Sequence, residues 1–336
     1  MRLGVVVPCY RQERFLPRTV AALERALEGR DWRGALVLAA PPAGPLPGLS
    51  SRWQLLAPPG PPRRAGAPPL TPGGARMLGC AACGGEWVLF ADADVELERA
   101  WLDAALEAAE RARGGRLAGL WGRLEEWFVS AEGERPGNPD LYGVGREERV
   151  VDYLATLVFY RREALIEAGG YDTRLSSEED FELGLRLRGL GFELRSLAPL
   201  AARHWSAPRP SFGELGRRWR TGLCFGQGQV LRLYAGRPGF ATLLRRQALY
   251  LATLAMWALG LVVLVLALAG AGARPVLAWL FLPLAVLAAM ALRKRSARLA
   301  LYSLLSWTLN GFGLLVGLVR LPRSLEPRLP TGEARC

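Results

Sequence analysis

The run Trp87–Ala91 is nearly all apolar and leads directly into Asp92-Ala93-Asp94. A run of this length and composition predicts a buried central strand. The two carboxylates then lie at the carboxyl edge of the sheet, where open α/β folds bind ligands. Two acids so close repel each other unless a cation neutralises them, and hard oxygen ligands suit Mg²⁺ or Mn²⁺ beside a diphosphate. The alternative is that Asp94 merely caps the next helix, whose apolar residues begin at Trp101.

Strands and helices alternate around this run. Leu3–Pro8, Ala35–Ala40 and Gln54–Ala57 are apolar runs that predict strands. The apolar spacing within Phe15–Leu27 and within Pro72–Ala82 predicts helices. This alternation over about 120 residues predicts a mostly parallel, three-layer α/β sheet.

Five short motifs follow one another along roughly the first 230 residues. They are Val5-Val6-Val7-Pro8-Cys9-Tyr10 with Glu13-Arg14-Phe15-Leu16; Gly73-Gly74-Ala75-Arg76-Met77-Leu78-Gly79; Gly85-Glu86-Trp87 with Asp92-Ala93-Asp94; Gly169-Gly170-Tyr171-Asp172; and Glu179-Asp180-Phe181-Glu182-Leu183. In this order they resemble the motifs of family 2 glycosyltransferases with the GT-A fold. The resemblance implies a nucleotide-sugar-binding mixed α/β sheet with flanking helices.

The resemblance also implies a donor site. Asp94, with Asp92, would hold Mg²⁺ or Mn²⁺ against the diphosphate of a UDP- or GDP-linked sugar. His204, the only histidine, would contact the metal or the diphosphate, although a lone histidine can equally be a packed or solvated side chain. The other donor-binding positions that the resemblance implies are Pro8, Tyr10, Glu13 and Arg76.

Glu179-Asp180 opens a helical pattern and is the catalytic pair that the resemblance implies. Asp180 would be the general base that deprotonates an acceptor hydroxyl in an inverting reaction. Acids at a helix N-terminus are stabilised by the helix dipole in any case. The alternative is therefore an ordinary capping cluster, Ser176–Glu179.

The chain departs from the family pattern at two positions. The second strand of the family ends in an acid that grips the nucleobase, whereas Leu38-Ala39-Ala40-Pro41-Pro42 contains none. Arg11 stands in place of a common Asn. The identity of the nucleotide stays open, and so does a degenerate, non-catalytic relative.

Composition limits the function classes. The net charge is +12 and nearly all of it comes from arginine, since Lys294 is the only lysine. We attribute this excess to membrane-surface and diphosphate complementarity rather than to nucleic-acid binding. Five cysteines argue against a disulfide framework. Cys80 and Cys83 lack a second pair that could complete a zinc site, which favours small core residues.

The character of the chain changes beyond Pro210. Phe212, Leu215 and Trp219 form an apolar stripe beside arginines, the pattern of a helix in the membrane interface. Three apolar segments follow, each with about the 20 residues that a bilayer requires. They are Ala248–Gly270, Pro275–Leu292 and Leu299–Val319, and Asn310 in the last favours its packing against the other helices.

This pattern divides the chain into four regions. We expect a GT-A catalytic domain in residues 1–210, amphipathic interfacial helices in 211–246, an all-α transmembrane region of three helices in 247–320, and a tail in 321–336. The basic loop Arg293-Lys294-Arg295 predicts that the catalytic domain is cytoplasmic in a multi-pass cell-membrane protein. The arginines of the tail conflict mildly with an odd number of spans, so either the third segment is re-entrant or the earlier basic residues dominate the orientation.

The sequence therefore predicts a membrane-anchored, metal-dependent, inverting glycosyltransferase of the hexosyl-transferring type, with a nucleotide-sugar donor. The acceptor is expected to be a hydroxyl of a lipid-linked or membrane-proximal molecule. A polyprenyl-phosphate glycosyltransferase, which needs no base, and a non-catalytic membrane scaffold are the alternatives. A nucleotidyltransferase would need a Gly-rich phosphate loop near the first strand, and Pro8-Cys9-Tyr10-Arg11 is not one.

Overall fold

The computed structural model describes residues 1–42, 44–57, 70–207 and 212–320. The chain divides into two compact units, Met1–Pro208 and Arg209–Leu321, which are described separately. The four-region division of the sequence stays a prediction, and its tail, 321–336, lies outside the described residues.

The first unit combines strands and helices. The strands are β1 (Leu3–Cys9), β2 (Trp32–Leu38), β3 (Trp53–Leu56), β4 (Trp87–Ala91), β5 (Val95–Leu97), β6 (Leu117–Ser130), β7 (Gly133–Pro136), β8 (Arg149–Val150), β9 (Leu157–Arg161) and β10 (Glu193–Ser206). The helices are α1 (Leu16–Ala26), α2 (Pro72–Cys83), α3 (Arg99–Arg111), α4 (Arg162–Glu167) and α5 (Glu179–Gly189).

These strands form one mixed sheet with the order β3-β2-β1-β4-β9-β6-β10-β5, while β7 pairs with β6 and β8 with β10. From β3 to β4 all neighbours are parallel. Beyond β4 the expectation of a mostly parallel sheet is wrong, because β9 runs antiparallel to both β4 and β6. The mixed α/β sheet with flanking helices is confirmed.

The core is built around β4 and β1, whose apolar side chains are almost fully buried. Helix α2 packs closely on this part of the sheet because Gly79 carries no side chain. A Cβ added there would lie 2.4 Å from Val6 Cγ1. The helix begins at a Thr71 cap, whose hydroxyl oxygen accepts from Gly74 N at 3.0 Å. This packing fixes Arg76, in the middle of α2, near the carboxyl end of β4.

The segment after Asp94 differs from the expectation. The short strand β5 intervenes, and α3 begins only at Arg99, with Glu98 in the N-cap position. Asp94 therefore does not cap a helix, and that alternative is wrong. β5 was missed because three residues are too few for a periodicity to show.

The cysteines of the described chain are small core residues, as expected. Cys9, Cys80, Cys83 and Cys224 are free and buried. Burial raises the pKa of the Cys80 thiol to about 11 and that of Cys83 to about 12, so neither is a reactive thiolate at neutral pH.

The second unit is helical. Its elements are α6 (Phe212–Thr221), α7 (Gly226–Tyr234), α8 (Phe240–Arg246), α9 (Ala248–Leu266), a π-helical turn (Ala267–Ala271), α10 (Arg274–Lys294) and α11 (Ala297–Val319). Three helical stretches are long and apolar enough to cross a membrane: Ala248–Gly270, Arg274–Lys294 and Ala297–Val319. The expected all-α region with three apolar helices is confirmed, and the last two begin slightly earlier than predicted.

Helix α11 packs against other helices, as its polar residues indicated. In the most apolar stretch of α11, 39% of the residues are buried within the protein, against 11% and 6% in the other two apolar helices. Asn310 Oδ1 accepts a hydrogen bond from Gln227 Nε2 at 3.2 Å, and Thr308 Oγ1 accepts one from Trp257 Nε1 at 2.9 Å. Polar side chains in an apolar helix are thus satisfied within the protein.

Candidate active site

The site lies where β1 and β4 end. These strands are parallel neighbours, so the turn after β1 and the Asp92–Asp94 turn after β4 meet at one edge of the sheet. Gln12 Nε2 donates a hydrogen bond to Asp94 Oδ2 and joins the two turns. Arg11 adopts a left-handed conformation with φ 56°, which reverses the chain between β1 and Gln12.

The backbone around Asp94 is held from both sides. Thr19 Oγ1 donates to Ala93 O at 3.0 Å, and Trp205 N donates to Asp94 O at 2.8 Å. The Asp94 carboxylate is only 10% exposed, and its Oδ2 lies 3.5 Å from His204 Nε2. Its Oδ1 is buried and has no hydrogen-bond partner within the part of the chain that the structure describes. A buried carboxylate oxygen without a donor is a position that a cation can fill.

Arg76 lies at the centre of an acidic cluster. Its Nη2 is 2.9 Å from Asp92 Oδ1, and its Nη1 is 2.7 Å from Glu179 Oε1 and 3.5 Å from Asp180 Oδ1. The guanidinium also lies over the Tyr171 ring, 5.3 Å from its centroid. Burial alone would lower the pKa of Arg76, but the surrounding carboxylates raise it well above its usual value. Arg76 is therefore a permanent cation that bridges α2, the β4 turn and α5.

Asp180 is the most accessible acid beside Arg76 at the start of α5. Its side chain is 21% exposed, against 7% for Glu179. Desolvation raises the pKa of Asp180 to about 8; Arg76 lowers it, while Glu179 and Asp92 add to the rise. Desolvation likewise raises the pKa of Asp92, against the lowering effect of Arg76. A carboxyl group with a pKa near neutrality is suited to proton transfer.

The alternative that Ser176–Glu179 is an ordinary capping cluster is not supported at the N-cap position of α5. Glu178 is the N-cap residue of α5 and adopts a left-handed conformation with φ 68°. It makes no side-chain hydrogen bond to the first turn of the helix. The acids that follow it are instead arranged around Arg76.

The structure thus groups the predicted residues unevenly. Asp92, Arg76, Glu179 and Asp180 form one ion-pair network, and Asp94 with His204 forms a second cluster in the same turn region. The remaining predicted positions, Pro8 at the end of β1, Tyr10 and Glu13, lie in or beside the Gln12 turn. Their contact with a nucleotide stays a prediction.

The end of β2 carries no acid in the structure either. Ala39 N donates to Cys9 O at 2.8 Å, so this backbone is used within the sheet. The departure from the family pattern at Leu38–Pro42 therefore lies directly after β2, and base recognition at this position stays a prediction.

Three residues of the site were missed. Gln12 lies between the two parts of the first motif, but its bond to Asp94 spans 82 positions and leaves no local signal. Thr156 and Tyr142 occupy no motif. The Tyr142 hydroxyl lies 2.6 Å from Thr156 Oγ1, and Asp92 N donates to Thr156 O at 3.0 Å. Thr156 has φ 66°, a strained conformation for a β-branched residue.

The family match covers part of the sheet edge described above. Residues 69–169, which contain α2, β4 and the Asp92–Asp94 turn, match the family described as Glycosyl transferase family 2. This segment is a glycosyltransferase sequence. The resemblance read from the motifs is confirmed over it, and so is the prediction of a glycosyltransferase. No curated protein matches the chain.

Solved structures of Staphylococcus aureus TarS share a general likeness with this chain. TarS 1-349 in complex with UDP-GlcNAc is 17% identical, with a TM-score of 0.46 over 63% of this chain and 60% of that chain. The complex of the same fragment with UDP is 16% identical, with a TM-score of 0.46 over 66% and 65%. The matched part thus spans less than two thirds of the TarS fragment.

Proposed function

We propose that this glycosyltransferase is membrane-anchored, inverting and metal-dependent, and that it moves a sugar from a nucleotide-diphospho-sugar to a hydroxyl of a lipid-linked acceptor. The observation that carries the proposal is the acidic edge of the sheet, where the Asp92–Asp94 turn and Asp180 flank a single arginine, Arg76. One half of this edge suits a cation with a diphosphate, and the other half offers one accessible carboxyl group.

The residues present fit a divalent cation. Asp94 supplies a buried oxygen that has no hydrogen-bond donor among the described residues, and His204 Nε2 lies 3.5 Å from the other oxygen of the same carboxylate. The described residues contain no group of three or more acidic, His or Cys side chains that could hold a metal ion. Mg²⁺ is usually bound by one or two carboxylates plus substrate phosphates, and the Asp92–Asp94 turn supplies two carboxylates. When bound, the ion supplies positive charge for the departing diphosphate.

Asp180 is the residue that we assign as general base. The acceptor oxygen forms a bond to the anomeric carbon as the bond from that carbon to the diphosphate oxygen breaks. The hydroxyl proton passes to the Asp180 carboxylate, and attack from the opposite face inverts the configuration. Glu179, predicted as its catalytic companion, is nearly buried and bound to Arg76. We therefore assign it to positioning Arg76 between Asp92 and Asp180.

Membrane anchoring and the lipid-linked acceptor are supported by the second unit. It contains three helices long and apolar enough to span a membrane, and α6 carries Arg217, Arg218 and Arg220. An enzyme anchored in this way meets acceptors that are themselves confined to the membrane. The basic residues between α10 and α11 support a cytoplasmic catalytic unit in the cell membrane. Because no acid follows β2, other groups must recognise the nucleobase.

The proposal is tested with the purified full chain in detergent. A panel of UDP- and GDP-sugars is assayed for nucleoside diphosphate release, with Mg²⁺ or Mn²⁺ and with excess chelator. We expect release from one donor, its loss in chelator, and a fall of more than about 10²-fold in Asp94→Asn, because the ion and the diphosphate lose their ligand.

The control is Asp103→Asn, the same change at a half-exposed acid of α3. It should turn over like the wild type. Full activity of Asp94→Asn or of the wild type in chelator would refute the metal assignment. Absence of release from every donor would favour the non-catalytic scaffold, and transfer only to a polyprenyl phosphate would favour the other enzymatic alternative.

A further inference from the structure

The loop of residues 137–148, between β7 and β8, carries Tyr142 to the acidic edge. Asp140 fixes its shape, because Oδ1 accepts from Val144 N at 2.9 Å and Oδ2 from Gly145 N at 2.7 Å. The loop is tied to β6 where Leu141 N donates to Leu124 O at 2.9 Å. A loop held by its own side chain and by a central strand presents Tyr142 in one position.

The hydroxyl end of Tyr142 is anchored to the Asp92–Asp94 turn through Thr156. The two hydroxyl groups are 2.6 Å apart, and the carbonyl of Thr156 accepts from Asp92 N. Thr156 has a left-handed φ of 66° at this connection. Backbone strain of this kind is retained at ligand sites when the surrounding structure enforces it. Desolvation raises the pKa of Tyr142, the hydrogen bond with Thr156 lowers it, and the charges of Asp92, Asp180 and Asp94 add to the rise.

The ring of Tyr142 continues toward α5 through aromatic contacts. Its centroid is 5.4 Å from that of Trp121, which is 5.7 Å from Tyr153, and Tyr153 is 5.4 Å from Phe181. Phe181 directly follows Asp180. Although this side of Tyr142 is packed and its hydroxyl is bonded, 39% of the residue remains exposed. An anchored aromatic ring with exposed surface is a stacking platform, because its negative face attracts polarised C–H groups.

The position of Tyr142 relative to the strands of the sheet indicates which substrate it serves. The predicted nucleotide positions lie on β1 and its turn, on one side of β4. Tyr142 is attached to β6 and to the residue before β9, on the other side of β4. A donor lying across the β1 half leaves this half of the edge for the acceptor.

We propose that Tyr142 is the acceptor platform, and that the acceptor presents a pyranose ring that stacks on it with a hydroxyl directed at Asp180. The inference rests on the proposed function and narrows it, because a bare polyprenyl phosphate has no ring for this platform. The acceptor is then a glycoside, whether lipid-linked or soluble.

The test measures transfer to soluble alkyl pyranosides and to a short polyprenyl phosphate, using the donor found by the nucleotide-sugar panel. Tyr142→Ala should raise the KM for the pyranoside about tenfold or more, as expected for a lost aromatic contact. Donor affinity by calorimetry and the melting temperature should stay near wild type. Tyr142→Phe keeps the ring and should raise the acceptor KM only a few-fold.

A matched pair of variants at Thr156 tests whether the hydrogen bond to the Tyr142 hydroxyl, in addition to the loop, holds Tyr142 in place. Thr156→Val removes the hydroxyl at nearly constant shape and should behave like Tyr142→Phe, whereas Thr156→Ser keeps the hydroxyl and should have a lower acceptor KM than Thr156→Val. An unchanged acceptor KM in Tyr142→Ala would overturn the platform while the wild type still releases nucleoside diphosphate. A drop in kcat and melting temperature without a change in KM would reduce Tyr142 to a structural residue. Equal use of polyprenyl phosphate by the wild type would overturn the acceptor class, and a wild type inactive with every donor would remove the proposed function and the inference together.

Discussion

Replacing Asp180 by Asn separates base catalysis from helix stabilisation, because the two roles predict stability changes of opposite sign. The pKa of this carboxyl group is raised to about 8, with desolvation as the largest cause. In the unfolded chain an aspartate titrates near a pKa of about 3.9. The free energy by which folding favours the neutral carboxyl is therefore fully present below about pH 4 and is lost as the pH rises through about 8.

An asparagine cannot ionise and keeps this contribution. Asp180→Asn should therefore be more stable than the wild type above about pH 8. If Asp180 only complemented the dipole of α5, its loss would destabilise the fold by about 0.3–1 kcal/mol wherever the acid is ionised. Urea denaturation at pH 6 and pH 9 measures the difference.

The activity of the wild type should follow the same ionisation. With a pKa of about 8, roughly one tenth of Asp180 is ionised at pH 7 and roughly nine tenths at pH 9. The kcat/KM for an acceptor hydroxyl should therefore rise about tenfold across this range. Asp180→Asn should lose about 10²–10⁴-fold in turnover and show no such rise, with donor affinity nearly unchanged.

Asp172→Asn is the control, because this acid lies in the same unit and its pKa is shifted in the opposite direction. Burial would raise the pKa of Asp172, but hydrogen bonds from Arg174 lower it on balance. Its stabilising contribution is present above the unfolded pKa and is lost as the pH falls through the folded one, so the variant should be less stable at pH 7 and 9. A flat pH profile for the wild type, together with an Asp180→Asn variant that melts early yet turns over normally, would refute base catalysis.

Two further predictions concern the ion-pair network and the membrane helices. Arg76→Met should destabilise the fold by about 3–5 kcal/mol in urea denaturation, because buried carboxylates lose their cation. Adding Glu179→Gln should recover part of this loss of stability. A destabilisation of less than about 1 kcal/mol in Arg76→Met would contradict the ion-pair network. A reporter fused after Gly272 should be external and one after Arg298 cytoplasmic, because the basic loop resists translocation; a cytoplasmic Gly272 fusion would show that α9 does not span.

The sequence was most informative where local composition decides structure. The strand Trp87–Ala91 has the predicted bounds because a short apolar run between Gly85 and Asp92 has few alternatives to a buried strand. The carboxyl edge with its two acids follows from the same run. The first apolar helix was also placed correctly, since a stretch of its length without charges has one stable environment.

The sequence was least informative where the site depends on distant contacts. Arg76 and Glu179 are 103 positions apart, and no local pattern predicts that one arginine serves three acids. The antiparallel course of β9 could not be read from an apolar run that fits a parallel strand equally well. Tyr142 is placed by a loop whose shape depends on Asp140, so its position becomes visible only once the chain is folded.

The charge balance of the site gives the strongest physical reason to expect a cation. Asp92, Glu179 and Asp180 all share Arg76, and Asp94 lies beside them in the Asp92–Asp94 turn. Even with Asp180 neutral below pH 8, this edge keeps an excess of negative charge, and it would repel a diphosphate. A divalent cation at Asp94 would cancel that excess. We therefore expect a donor to bind the acidic edge together with positive charge, so affinity for a nucleotide-sugar should fall with chelation before any chemistry is measured.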